Sequence, residues 1–297
     1  MNNLKALFNH LSLGYISIAI IISTLLGMAG HDLITQLLQQ PQNASTQSLG
    51  KNFSTILFIH LIEAFSTMVL YALINRYWGL KSLLVKTFIF ALLLAVINEN
   101  FLRRFLMDII ADHRNIGYEF LLVAVPAYIS YILVAGTVVT FFSFQKKWLW
   151  KYVIAFVLVV FEYQYIESMI HAVLMSFFHL SPGGHFTQGP YDLSILISIY
   201  STYLIPVTGM FITYLWIRQS FPKQASIRGL LFFILLVGVH GQLHGIFQIA
   251  TSQGHILYRI LYYGSFWWEL LIVAFTIVFF VENSQAVKKF FHDLYWI

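Results

Sequence analysis

Apolar residues run along this chain in long, nearly continuous blocks separated by short polar or charged joints. Eight such blocks lie near residues 11–29, 54–78, 83–107, 118–143, 149–179, 191–217, 229–251 and 257–282. Each approaches or exceeds the roughly 20 residues that a helix needs to cross the hydrocarbon core of a bilayer. A transmembrane β-strand would instead show segments of about 10 residues of alternating polarity, which these blocks do not. The pattern predicts an all-α, polytopic membrane protein, with about eight transmembrane helices in one bundle that forms a single domain over residues 1–297. The fifth block is long enough to tilt or to project beyond the bilayer. No repeat of 20–50 residues and no separate soluble domain interrupts this order.

Composition agrees with the pattern. Hydrophobic residues make up 59% of the chain and charged residues only 10%, with a mean hydropathy of +0.76, whereas soluble domains carry roughly 25% charged residues. The charges that remain fix an expected orientation. With the N-terminus inside, the inner segments hold Lys5, Arg76, Lys81, Lys86, Lys146, Lys147, Lys151, Arg218, Lys223, Arg228, Lys288 and Lys289, which is twelve of the 17 Lys and Arg. Lys51, Arg103, Arg104, Arg114 and Arg259 fall outside. Positive charge concentrates on the cytoplasmic side of membrane proteins, so both termini are expected in the cytoplasm. The net charge of +5 is then a consequence of topology, and no nucleic-acid partner is inferred from it. Short inner loops fit a bacterial inner (plasma) membrane. Lys5 followed by an apolar run ending in Gly27, Met28, Ala29 and Gly30 has the outline of a signal peptide, but it is read as a retained first helix. The chain has no cysteine, which excludes disulfides and thiolate metal sites.

The up-and-down order of the blocks places their polar residues in depth. His60 and Glu63 in the second block, Glu167 and His171 in the fifth, and His240 and His244 in the seventh all fall in the outer half or near the middle of the bilayer. His31, Asp32, Glu99, His185 and His255 fall at or near the same surface. At 100° per residue, several of these residues also share helix faces. His60, Glu63, Thr67 and Tyr71 form one stripe, Gln164, Glu167, His171 and Met175 a second, and His240, His244 and Thr251 a third. Tyr258, Tyr262, Ser265 and Glu269 form a fourth. Ionisable side chains facing lipid are costly and by default face the bundle interior, so the stripes are expected to meet across a buried, outward-opening cavity. Tyr, Ser and Thr in them are read as helix-stapling groups.

The chemistry open to this set is that of nitrogen and oxygen donors. Two histidines at i and i+4 on one helix can reach a single metal ion, as can Glu167 and His171. With His60 and Glu63 added, the six residues form a candidate site for zinc, iron, copper or manganese. His60, His171, His240 and His244 are equally candidates for the axial ligands of a haem, for which Gly238, Gly241 and Gly245 would leave room. His60 in the second block and a glycine-flanked histidine pair late in the chain resemble the haem-ligating helices of haem-copper oxidases and nitric oxide reductases. That family has twelve helices, a His-His pair and an H-x-H, none of which occurs here, so no catalytic assignment carries over. The stretch NENFLR at Asn98–Arg103 is similar to the Glu-Glu-x-x-x-Arg motif of CAAX-type membrane proteases, with Asn98 in place of the first Glu. Glu99 and Arg103, at i and i+4, are read instead as an ion pair at a helix end.

Three functional classes follow. Iron or copper implies an oxidoreductase; zinc implies an intramembrane hydrolase with a Glu as general base. Protonatable His and Glu lining a pathway would serve a proton-coupled transporter of a small molecule or ion, in which Pro206 and Gly209 would break the sixth helix near its site. The one-sided distribution of polar groups favours the metal or haem site over transport. Partner subunits could supply further ligands.

Overall fold

The computed structural model describes residues 12–37, 53–76, 78–99, 102–112, 115–144, 148–183, 193–241 and 256–285. Their regular structure is entirely helical. The helices are α1 (Leu13–Leu37), α2 (Phe53–Asn75), α3 (Leu83–Ile97), α4 (Arg103–Asp112), α5 (Ile116–Ser143), α6 (Trp150–Phe177), α7 (Leu193–Ile217), α8 (Ala225–Val239), α9 (Ile256–Tyr263) and α10 (Ser265–Glu282). Four stretches, Leu13–His31, Ile56–Asn75, Ile116–Ser143 and Trp150–Phe177, are long and apolar enough to cross a membrane, and α3 and α8 are shorter apolar helices. The outer surface of the bundle suits such a solvent. Phe65, Val157, Ile234 and Phe279 each expose more than half of their surface, an arrangement that is costly in water and neutral in lipid.

Lipid tails are as apolar as leucine, so close packing rather than burial from water holds such helices together. Glycines provide it. A Cβ on Gly27 would stand 2.6 Å from Val273, and one on Gly30 would overlap Ile272, so α1 lies tightly along α10. Gly209 of α7 meets Val96 of α3 in the same way, and Gly238 of α8 meets Ser66 of α2. Between these seams the core is filled by large, fully buried side chains, among them Tyr71, Phe90, Tyr203, Phe211, Tyr214 and Phe232.

Long-range contacts divide the bundle into two poles. At one, Tyr15 donates to Phe280 O at 2.6 Å, Trp78 packs edge-on against Trp216, and Arg228 pairs with Glu282 at 2.6 Å. Lys86 reaches Asn75 there, and Lys151 reaches Phe144 O. This pole collects Arg76, Lys81, Lys86, Lys151, Arg218, Lys223 and Arg228. At the other pole lie His31, His60, Glu99, His240 and Glu269, joined across helices as described below.

Three of the predicted spans differ in detail. The block at 83–107 is split: Asn98 caps α3, and Glu99 and Leu102 stand at φ 62° and 59° before α4 begins. The block at 229–251 begins earlier, at Ala225, and its helix stops at Val239, where His240 caps it and Gly241 turns left-handed at φ 62°. Glycine in that conformation is the common terminator of a helix. Residues 257–282 are divided at Gly264. Pro206, expected to break the sixth block, does not, because α7 is continuous from Leu193 to Ile217. Two helices instead widen without breaking, into π-helical turns at Glu119–Ala124 and Glu162–Ile166.

Candidate functional site

The site is built from α2 outward. One helical turn separates His60 from Glu63, and Nδ1 of the imidazole lies 3.2 Å from Glu63 Oε2, within reach of an N–H donated to the carboxylate. The π-helical turn of α6 brings Tyr163 against the same pair. Its ring lies parallel to His60 with centroids 6.2 Å apart, and its hydroxyl shares a 2.9 Å hydrogen bond with Thr67. Insertions of this kind rotate the residues that follow and occur often at functional sites. Just beyond the turn, Glu167 interacts electrostatically with His60 and His171, and also with Arg104.

The end of α8 closes on Glu63 from the other side. A Cβ on Gly241 would stand 3.4 Å from Glu63 Oε2, so the backbone of that turn lies directly on the carboxylate. Glu63 accordingly interacts electrostatically with His240 as well as Glu167. His240 also lies with Nε2 3.6 Å from Glu99 Oε1.

Glu99 opens a second half of the network. It forms an ion pair with Arg103 across the break between α3 and α4. The Arg103 guanidinium lies 4.7 Å above the ring of Tyr203 on α7 and interacts electrostatically with Glu269 of α10. Glu269 is paired in turn with His31 of α1, whose Nδ1 lies 3.1 Å from Oε2. Gly27, one turn before His31, lies against the same residues, with Glu269 and Tyr203 at ordinary contact distance from where a Cβ would stand.

Five of the six sequence-predicted residues, His60, Glu63, Glu167, His171 and His240, therefore belong to one connected neighbourhood. His244, with Gly245 and Thr251, lies outside the described residues. The shared face of His240 and His244 presupposed a continuous helix, and that helix ends at Val239. Of the glycines expected to leave room for a macrocycle, Gly238 packs on Ser66 and Gly241 lies against Glu63. Among the described residues no three His, Asp or Glu side chains stand together as a ready metal-ligand group. Among the described residues the stripes meet through direct side-chain contacts, and an apolar cavity of about 370 Å³ lies between α3 and α7.

His31, Glu99, Arg103, Tyr163, Tyr203 and Glu269 join the network although none was placed in the candidate site. The i, i+4 spacing of Glu99 and Arg103 did give their pairing. Nothing in a single helix's periodicity, however, reports a contact such as His31 with Glu269, whose partners lie 238 positions apart.

Among the described residues the network gathers four carboxylates, Glu63, Glu99, Glu167 and Glu269, with the guanidinium of Arg103 at Glu99 and with Arg104, 3.9 Å from Asp108, on the Glu167 side. Carboxylates are expensive at membrane depth unless paired or protonated, so such a cluster is suited to hold protons or a cation. His60 is held by Glu63 through Nδ1, and a carboxylate behind an imidazole is the usual support of a metal-ligating histidine. Comparison with models of protein families, with curated proteins and with solved structures finds no match for this chain, and its function is read from this geometry.

Proposed function

We propose that this chain is an inner-membrane protein of eight spans with both termini in the cytoplasm, and that the outer half of its bundle binds a transition-metal cation. The observation that carries this reading is that elements bearing ionisable residues meet at Glu63: His60 of α2 lies 3.2 Å from its carboxylate, the His240–Gly241 turn at the end of α8 packs on it, and Tyr163 of the π-helical turn leading to Glu167 in α6 stacks on His60. The cation belongs on the Glu63 side of the network, because Arg103 occupies the Glu99 side and repels a second positive charge. His60, Glu63, Glu167 and His171 would hold it, with His240 and His244 completing the set from α8 and the segment after it. Iron or copper there would supply redox chemistry, and zinc would supply a Lewis acid for hydrolysis.

Elemental analysis by plasma mass spectrometry of protein purified without a histidine tag or chelator tests this. Near-stoichiometric iron, copper or zinc is expected in the wild type, with most of it lost from folded Glu63→Gln and His60→Ala. Full occupancy in both variants removes α2 from the site.

A second reading, a proton-coupled carrier, draws on a different observation. The breaks at Asn98–Leu102 and at His240–Gly241 face each other through the Glu99–His240 contact, and interrupted helices that meet are the usual frame of a transport site. Metal-free, folded wild-type protein that moves protons in proteoliposomes when substrate is added would select this reading.

A further inference from the structure

We propose that the groove between α3 and α7 is a binding site for one acyl chain of an anionic phospholipid, seated in the leaflet at the basic pole of the bundle. The cavity of about 370 Å³ is lined on α3 by residues including Ile89, Leu93 and Val96 and on α7 by residues including Leu204, Thr208 and Trp216. It opens sideways beside Leu92, which is 49% exposed. Seven residues separate Ile89 from Val96, so the groove runs about 10 Å along the helix axis, roughly two-thirds of one leaflet's share of a 30 Å hydrocarbon core. Gly209 keeps the two helices close behind it, against Val96. A chain of methylenes fits such a slot by shape and by chemistry.

Two features at one end select the ligand. Nε1 of Trp216 is buried and has no hydrogen-bond partner among the described residues, although a buried indole N–H ordinarily finds one. An ester carbonyl at the head of an acyl chain is an acceptor at the right depth, since tryptophans mark the boundary between tail and headgroup. Beyond it stand cations. Arg218 follows Trp216 by two positions, Lys86 precedes Ile89 by one turn, and exposed Lys81 lies in the adjoining joint. Basic residues beside a span attract anionic headgroups. The opposite end of the groove, at Val96 and Leu204, leads toward Glu99, where a phosphate would be repelled.

The inference rests on the membrane placement proposed above and is independent of the metal. Membrane fractionation at alkaline pH tests that placement separately, since a chain released as soluble protein would remove both. For the site itself, the full chain in mild detergent is delipidated, titrated with phosphatidylglycerol or phosphatidylcholine, and read by native mass spectrometry. One phosphatidylglycerol per chain is expected to bind preferentially. Trp216→Phe, which keeps the ring against Trp78, is expected to weaken it about five-fold, as the loss of one hydrogen bond implies. Ile212→Trp, which fills the groove, is expected to abolish the specific adduct while circular dichroism stays helical. Equal binding of the two lipids, or unchanged binding in folded Trp216→Phe and Ile212→Trp, overturns the proposal.

Discussion

Replacing Arg103 by Gln isolates the energetic logic of the network. The guanidinium is 11% exposed and the Glu99 carboxylate 16%, so the substitution leaves a buried carboxylate facing only His240 at 3.6 Å. Breaking a buried pair from one side costs about 3–5 kcal/mol, because the remaining charge has lost its compensation. Glu99→Gln alone is expected to cost less, about 1–3 kcal/mol, since Arg103 keeps Tyr203 beneath it and Glu269 nearby. In the double variant neither charge remains, and the residual cost is the lost cation–π contact, up to about 2 kcal/mol when desolvated. The double variant is therefore expected to be more stable than Arg103→Gln, with a coupling of about 2 kcal/mol or more. Reversible unfolding in mixed micelles of increasing SDS fraction, followed through the seven tryptophans, measures all three. Simple additivity of the two single losses would refute the argument that Glu99 depends on Arg103 for its place in the bundle.

Two further outcomes follow from packing at either pole, read by the same unfolding assay. Gly238→Ala puts a methyl group into the Ser66 side chain and is expected to cost about 1–3 kcal/mol as overpacking. Ser66→Gly in the same chain should recover most of that loss, and failure to do so would detach the effect from the α2–α8 seam. At the basic pole, Glu282 accepts from Tyr214 at 2.8 Å and pairs with Arg228 at 2.6 Å. Arg228→Met is expected to cost about 1–3 kcal/mol, between the exposed and buried limits for an ion pair, and Arg228→Lys less.

The helices were legible because a long apolar run has one stable form in lipid, and the gathering of histidines and acids at one pole followed from alternating the direction of those runs. The breaks were less legible. At Asn98–Asn100 the polar run is visible but equally fits the outer end of a longer helix, and at Val239–Gly241 the cue that stops the helix, Gly241, is a single residue inside an apolar block. Once α8 stops at Val239, the spacing of His240 and His244 no longer defines a face, and His240 turns to Glu99 instead. The fourth stripe meets the same difficulty at Gly264, which separates Glu269 from Tyr258 and Tyr262 along the chain. Tyr163 escaped because the π-helical turn that presents it to His60 departs from the 100° step used to draw the stripes. Pairings between helices, such as His31 with Glu269, depend on which glycine seams form, and only the assembled bundle supplies that.

Hydrogen bonds hold both sides of the break between α3 and α4, which allows its strain to be measured. Asn98 and Glu99 donate backward to Leu94 O and Val96 O, and Arg104 donates to Glu99 O at 3.0 Å. The Leu102 N–H points to the Tyr128 hydroxyl at 3.4 Å. Two non-glycine residues at positive φ are nevertheless needed, each disfavoured by about 1–2 kcal/mol. Strain of this kind persists where surrounding contacts hold it and is often found beside functional groups. Leu102 separates strain from chemistry, because it is 40% exposed and carries no charge. Leu102→Gly removes the left-handed penalty, offset by about 0.5–1 kcal/mol of backbone entropy, so the variant is expected to unfold at the same SDS fraction as wild type or higher. Leu102→Val keeps the penalty and adds a branched Cβ, and it is expected to lose stability by about 1 kcal/mol. If Leu102→Gly instead destabilises the bundle as much as Leu102→Val, the side chain rather than the backbone matters there, and the turn holds no strain for Glu99 and Arg103 to maintain.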